Sequence, residues 1–135
     1  MALVVTNEGE QELLKHALGV TNAGNLTLRL FVNDKTPAPA DTSASYTEFS
    51  GMGYSAMTLT TTSWSTSSVS GTAEATYPIQ TWTFTAGGPV TAYGYYVTDA
   101  SSKVIFAERF DAPYIVENAG DIIKITPKLT VRSEF

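Results

Sequence analysis

The chain has 135 residues with a formal net charge of -5, and 43% of the residues are hydrophobic while 16% are charged. This length suits one domain with one core, and a charged fraction below the ~25% of average soluble domains is typical of a β surface rich in Ser and Thr. The absence of cysteine excludes disulfides and thiolate metal sites, and the eight scattered Lys and Arg residues argue against a nucleic-acid partner. We therefore expect a single domain over 1–135.

The first residues lack the features of a secretory signal. No basic region precedes the short apolar run, and no later segment has the length of a membrane span. We expect synthesis in a cytoplasm and no membrane partner.

The first predicted element is a helix at residues 8–18. Asn7 and Glu10 have the spacing of a capping box, and Gly19 is a suitable residue to end the helix. The apolar residues that share one helical face are Leu13, Leu14, Ala17 and Leu18. The N-terminal segment and helix together span 1–19.

Period-two alternation of apolar residues begins at Leu26 and predicts strands for the rest of the chain. The predicted strands are 26–32, 56–61, 73–77, 79–85, 91–98, 103–110 and 123–132. Residues 38–55 are expected to form a long ordered loop. Pro127 should mark a bulge or an edge position in the last strand.

These seven or eight strands predict an all-β fold. One short N-terminal α-helix should precede a two-sheet antiparallel sandwich, of jelly-roll or Greek-key type, over residues 26–132. A closed barrel is the alternative. The Ser- and Thr-rich tract 63–76 is expected to be ordered because Trp64 and Val69 can anchor it.

Few residues in the sequence suggest catalysis. His16 is the only histidine, and its place in the last helical turn indicates a surface residue at the helix C-terminus. Glu108 lies on an otherwise apolar strand, but the adjacent Arg109 favours an ion pair at the strand end. The sequence has no spaced set of metal ligands. We therefore expect no enzyme activity, no catalytic residue, no metal site and no cofactor.

Several aromatic residues are two positions apart on a predicted strand, so their side chains point to the same face. Trp82 shares a parity with Phe84, and Tyr93 with Tyr95, so we expect most of them to pack in the core or on a sheet face. An exposed Tyr and Trp platform that binds a sugar is the alternative that these residues leave open.

The strands predicted at 91–98 and 103–109 carry apolar side chains in both parities. Only one face of such a strand can meet the core of a small sandwich, so the helix, a loop or another subunit must cover the other face. A homo-oligomer and packing of the chain's own helix are both consistent with this pattern.

Several stretches, spread over nearly the whole chain, occur in a characteristic order. They are residues 5–14, 26–34 with Thr36 and Pro37 behind, 46–54, Trp64, 93–99, 106–110 and 120–127. In this order the chain resembles small structural proteins of tailed bacteriophages, and it looks most like the jelly-roll head decoration, or cement, proteins. The resemblance implies a homotrimer on the capsid exterior of a virion, where it clamps neighbouring major capsid protein subunits.

The resemblance also implies contact surfaces. Residues 2–18 are the candidate docking element for the capsid or a neighbouring protomer, and a helix that closes its own sandwich is the alternative. The candidate interface residues are Leu3, Val5, Leu13, Leu14, Leu18, Tyr46, Phe49 and Tyr96. The rival function is a tail-fibre module that binds a receptor or carbohydrate. An exposed aromatic patch with polar neighbours would favour that rival, whereas a flat apolar flank would favour a cement protein.

Overall fold

The computed structural model describes residues 3–22 and 24–132 and confirms a mostly β chain, with 44% strand and 11% helix. The elements in chain order are β1 Val4–Val5, α1 Asn7–Ala17, β2 Leu26–Phe31, a 3-10 turn Ser43–Ser45, β3 Met57–Leu59, β4 Ser65–Val69, β5 Thr72–Thr76, β6 Gln80–Thr83, β7 Val90–Thr98, β8 Val104–Val116, β9 Ile122–Ile125 and β10 Lys128–Arg132. Residues 1–2, 23 and 133–135, which the single-domain prediction includes, lie outside the described residues.

The strands form two antiparallel layers, as the sequence predicts for a sandwich. The main sheet has five strands in the order β1-β8-β7-β2-β3. Facing it are β10-β5-β4 and the pair β6-β9. Since β5 leads into β6 and β9 leads into β10, this second layer contains one long antiparallel ribbon that is interrupted near Pro78 and Pro127. Pro127 therefore marks the bend between two strands, where its carbonyl accepts the Tyr77 N–H at 2.9 Å.

The helix begins one residue earlier than predicted, and its cap is a different residue. Thr6, not Asn7, is the N-cap, because its hydroxyl accepts the Gly9 N–H at 2.9 Å. The same hydroxyl donates to the carbonyl of Val104, so the cap also holds α1 on β8. Gly19 ends the helix with φ +72°, as predicted. Within the described ranges, no helix is both long and apolar enough to cross a membrane.

The main core lies between the two layers, and the predicted core aromatics contribute to it. Trp82, Phe84 and Tyr95 are all buried there, against strand residues of the main sheet. The Trp82 indole N–H donates to the carbonyl of Ser55 at 2.8 Å, which satisfies its polar atom.

The Ser- and Thr-rich tract is ordered, although only one of its predicted anchors is correct. It forms the β4–β5 hairpin, which the sequence predicted only in part. Trp64 packs edge-on against Tyr77, with ring centroids 5.1 Å apart. Val69 is 72% exposed because it lies at the hairpin tip, so it is not an anchor.

A second buried cluster lies on the opposite face of the main sheet. The Tyr46 ring stacks on Tyr96 at 4.7 Å between centroids and contacts Phe31 at 5.0 Å. Val104 and Ala107 complete the cluster. Residues 33–49, which we call the covering loop, therefore cover the β7 and β8 side chains that point away from the main core. A second subunit is not needed to explain why these outward-facing side chains are apolar.

A polar network anchors the end of the predicted loop 38–55 to the main sheet. Arg29 Nη1 donates to both carboxylate oxygens of Glu48, at 2.9 and 3.2 Å. The Tyr54 hydroxyl donates to Glu48 at 2.8 Å, and Arg29 Nε donates to the Thr98 hydroxyl at 3.1 Å. The loop is thus ordered by fixed hydrogen bonds as well as by aromatic packing.

Asp41 holds the other part of the covering loop. Its Oδ2 accepts the Ala38 N–H and the Tyr46 hydroxyl, both at 2.8 Å, while Lys35 Nζ lies 2.9 Å from Oδ1. Burial raises the pKa of Asp41, but the hydrogen bond from Ala38 and the contacts with Lys35 and Tyr46 outweigh it, so the pKa lies below the ordinary 3.8.

Acidification is therefore expected to weaken the covering loop through Asp41. Because its pKa is lower in the folded chain, the carboxylate contributes stability above its ordinary value of 3.8, and this is lost as pH falls through the folded pKa. Asp41→Asn should lower the free energy of unfolding at pH 7, with a smaller difference from wild type at an acidic pH well below 3.8. Urea unfolding at both pH values measures this, with the exposed Glu117→Gln as control. An equal difference at both pH values would contradict it.

Candidate functional site

Three of the predicted interface residues are buried inside the chain. Tyr46, Phe49 and Tyr96 are 6%, 2% and 4% exposed. Tyr46 and Tyr96 stack on each other in the second cluster, and Phe49 packs in the main core against Phe84. Their assignment to an intermolecular surface is wrong, because the sequence alone does not distinguish apolar contacts within the chain from contacts with another chain.

The remaining predicted interface residues belong to the N-terminal segment. Leu3, Val5 and Leu13 are half-buried and pack against the main core. Leu14 and Leu18 are 62% and 76% exposed. The predicted apolar face of α1 is therefore divided between core contact and solvent.

An apolar surface lies at the C-terminal end of α1. Leu14 and Leu18 are one turn apart, since the Leu18 N–H donates to the carbonyl of Leu14 at 3.0 Å. Val20, which is 69% exposed, is held beside this turn by a 2.9 Å hydrogen bond from its N–H to the carbonyl of Lys15. We call Leu14, Leu18 and Val20 the helix-end patch. Grouped exposed aliphatic side chains of this kind are typical of contact surfaces.

A groove runs along the open edge of the sandwich. β1 pairs with Phe106 and Ala107 and ends there, so among the described residues β8 has no further neighbour on that side from Glu108 onwards. Two adjoining pockets, which share Tyr95, Glu108 and Thr126, lie between this edge and the β9–β10 strands, and we call them together the edge groove. Its lining residues are Leu3, Tyr95, Glu108, Phe110, Tyr114, Lys124, Ile125, Thr126, Lys128 and Thr130.

A bulge in β8 shapes one end of the edge groove. Ala92 pairs with Tyr114 and Gly94 with Arg109, so a single β7 residue faces residues 110–113 of β8. Phe110 and Tyr114 meet edge to face, with ring centroids 5.0 Å apart, and Tyr114 is 44% exposed. The bulge thus presents aromatic side chains beside the polar groups of the groove.

Glu108 is placed inside the edge groove and not at an ion pair with Arg109. Successive strand residues point to opposite faces, and Arg109 contacts Asp34 at 2.7 Å and the Tyr93 ring at 5.2 Å from its centroid. The expected Glu108–Arg109 pair is therefore wrong. Burial raises the pKa of Glu108, and burial together with the nearby Glu108 carboxylate raises the pKa of Tyr95. This pairing can bind polar ligand groups.

His16 does not stand alone at the helix end. Donor atoms of Glu12, His16 and Asp99 all lie within 4.8 Å of one another, which is a candidate metal-ligand arrangement. Sequence reasoning missed it, because Asp99 comes from the turn between β7 and β8 and is remote in the chain. The signal that the sequence does contain is the i, i+4 spacing of Glu12 and His16.

Comparisons with known proteins give no match for this chain. They cover protein families, curated proteins and solved structures. The helix-end patch, the edge groove and the Glu12–His16–Asp99 cluster are therefore the features on which functional proposals rest.

Proposed function

We propose that this protein is a virion structural protein of a tailed bacteriophage that acts through surface contact and not through catalysis. The specific assignment is a capsid decoration, or cement, protein that stabilises the phage head by multivalent contacts with major capsid subunits. The resemblance over nearly the whole chain supports this assignment, and the β-sandwich architecture is compatible with it.

The helix-end patch is the observation that carries the proposal. Its exposed Leu14 and Leu18 belong to residues 2–18, where the resemblance implies a docking element, and the exposed Val20 follows closely after them in the chain. Three aliphatic side chains support only a weak contact. A homotrimer would present three such patches, and linked weak contacts give persistent attachment by avidity. We therefore assign the patch to contact with the major capsid protein.

The double variant Leu14→Lys and Leu18→Lys tests this assignment. Both side chains are exposed, so we expect thermal unfolding close to wild type. Charges in the contact should lower co-sedimentation with undecorated phage heads by at least about tenfold, since several copies lose their contact together. The matched control is Val69→Lys, which charges an equally exposed aliphatic residue at the β4–β5 tip. If the double variant sediments with the heads as fully as the Val69→Lys control, the proposal is contradicted.

The edge groove favours a second candidate, a tail-fibre module that binds a receptor or carbohydrate. Phe110 and Tyr114 offer aromatic surfaces beside Glu108, Lys124 and Thr126, and this combination suits a sugar ring with its hydroxyl groups. A cement protein would bind its partner through the helix-end patch, whereas a tail module would bind its ligand through the edge groove. If Tyr114→Ala abolishes attachment to host-surface polysaccharide while the helix-end variant attaches normally, the tail module is correct and the cement assignment fails.

A further inference from the structure

A second group of polar residues lies next to the helix-end patch and is independent of the function proposed above. Glu12 and His16 are one turn apart on α1, and Asp99 lies in the turn that joins β7 to β8. One donor atom from each residue lies within 4.8 Å of the other two. The cluster therefore joins the helix to the main sheet.

The framework that holds the cluster is built from other contacts. Asp99 Oδ1 accepts the N–H groups of Ser101 and Lys103, both at 2.9 Å, which fixes the carboxylate while Oδ2 takes no part in these bonds. On the helix side, Glu8 Oε1 accepts the Val104 N–H at 2.7 Å. These bonds fix the Asp99 carboxylate and hold α1 at the start of β8, so the backbone that carries the three residues is pre-organised.

The charges in the cluster favour a cation. A carboxylate oxygen of Glu12 and one of Asp99 lie within 4.8 Å of each other. Two ionised carboxylates at this separation repel each other unless a positive charge or a proton lies between them. Lys15 Nζ contacts Glu12 Oε1 at 3.0 Å and supplies one positive charge from the solvent side. One negative charge on the two carboxylates remains uncompensated by this lysine.

We propose that Glu12, His16 and Asp99 bind a divalent transition-metal ion, for which zinc is the best fit. One imidazole nitrogen with two carboxylate oxygens is a zinc-type donor set, whereas magnesium and calcium prefer oxygen alone. Donors at ~2.1 Å around zinc lie ~3.4 Å apart, so donor atoms that are within 4.8 Å of one another need to approach by at most about 1.4 Å. Three protein ligands leave one position for water or for a group from a bound partner.

Zinc chloride added to the full, chelator-stripped chain tests the site. Calorimetry should show one zinc ion per chain, and the thermal unfolding midpoint should rise with zinc concentration because the ion binds only the folded arrangement. Magnesium chloride at the same concentration should leave the midpoint unchanged. Absence of stoichiometric zinc binding at millimolar concentration would overturn the proposal.

Variants identify the ligands. His16→Gln and Asp99→Asn should each weaken zinc binding at least about tenfold. The side-chain amide oxygen in Asp99→Asn can still accept the Ser101 and Lys103 N–H groups, so this variant should keep its midpoint without zinc. The matched control is Glu10→Gln on the same helix, which should bind as wild type. Equal zinc affinity in the control and both ligand variants would show that zinc binds elsewhere and would overturn the assignment.

Discussion

Gly94→Ala is expected to lower the free energy of unfolding by more than about 3 kcal/mol. A Cβ on Gly94 would lie 2.5 Å from Phe31 Cζ and 2.6 Å from Phe31 Cε1. Phe31 is fully buried against Tyr46 and Tyr96 in the second cluster, so its ring has no space into which it can move. The main sheet and the covering loop should therefore both lose their packing.

Urea unfolding followed by tryptophan fluorescence measures this effect. The matched control is Gly24→Ala, because a Cβ at Gly24 would meet no atom within 4 Å. The control should unfold within about 0.5 kcal/mol of wild type. If Gly94→Ala is equally stable, the close packing of Phe31 on β7 is not as described.

Gly9→Ala should destabilise the protein by about 2 kcal/mol or more, although alanine is the better helix former. Helix propensity alone predicts that Gly9→Ala raises the free energy of unfolding by about 1 kcal/mol. The sign of the measured change therefore shows whether helix propensity or the clash with β8 is larger. A Cβ on Gly9 would lie 2.7 Å from Ile105 Cα, in the backbone of β8. Backbone atoms of a central strand do not yield, so α1 should detach from the sheet.

The free energy of unfolding and hydrogen exchange of the α1 amides together measure the Gly9→Ala effect. We expect faster exchange in α1 with little change in β7 at low denaturant. The control is Glu10→Ala, an exposed position in the same helical turn. A Gly9→Ala protein that is more stable than wild type would contradict the close docking of the helix.

Local patterns were sufficient for the helix and for most of the strands, but not for β1 and β4. The alternation at 91–98 corresponds to β7 at Val90–Thr98, and Gly19 ends the helix as expected. Both follow from neighbours in the chain, through side-chain parity and the left-handed conformation that glycine adopts. The cap at Thr6 was missed because its hydroxyl contacts Val104, a residue from another element.

The cover of the second apolar face could not be predicted in this way. Apolar residues in both parities of β7 and β8 predicted that both faces of these strands are covered. The helix, a loop or another subunit could each have covered the second face. The covering loop does so because Tyr46 is held by Asp41 and stacks on Tyr96. These contacts join residues that are close in space and far apart in the chain.

The amino-acid order alone was enough for the fold class, since period-two burial and one amphipathic helix depend on residues a few positions apart. The edge groove, the helix-end patch and the Glu12–His16–Asp99 cluster depend instead on how the elements pack. Asp99 meets His16 because α1 docks on β8, and Glu108 lines a groove because β1 is short. Such long-range contacts arise from the balance of many packing interactions, which no local pattern encodes.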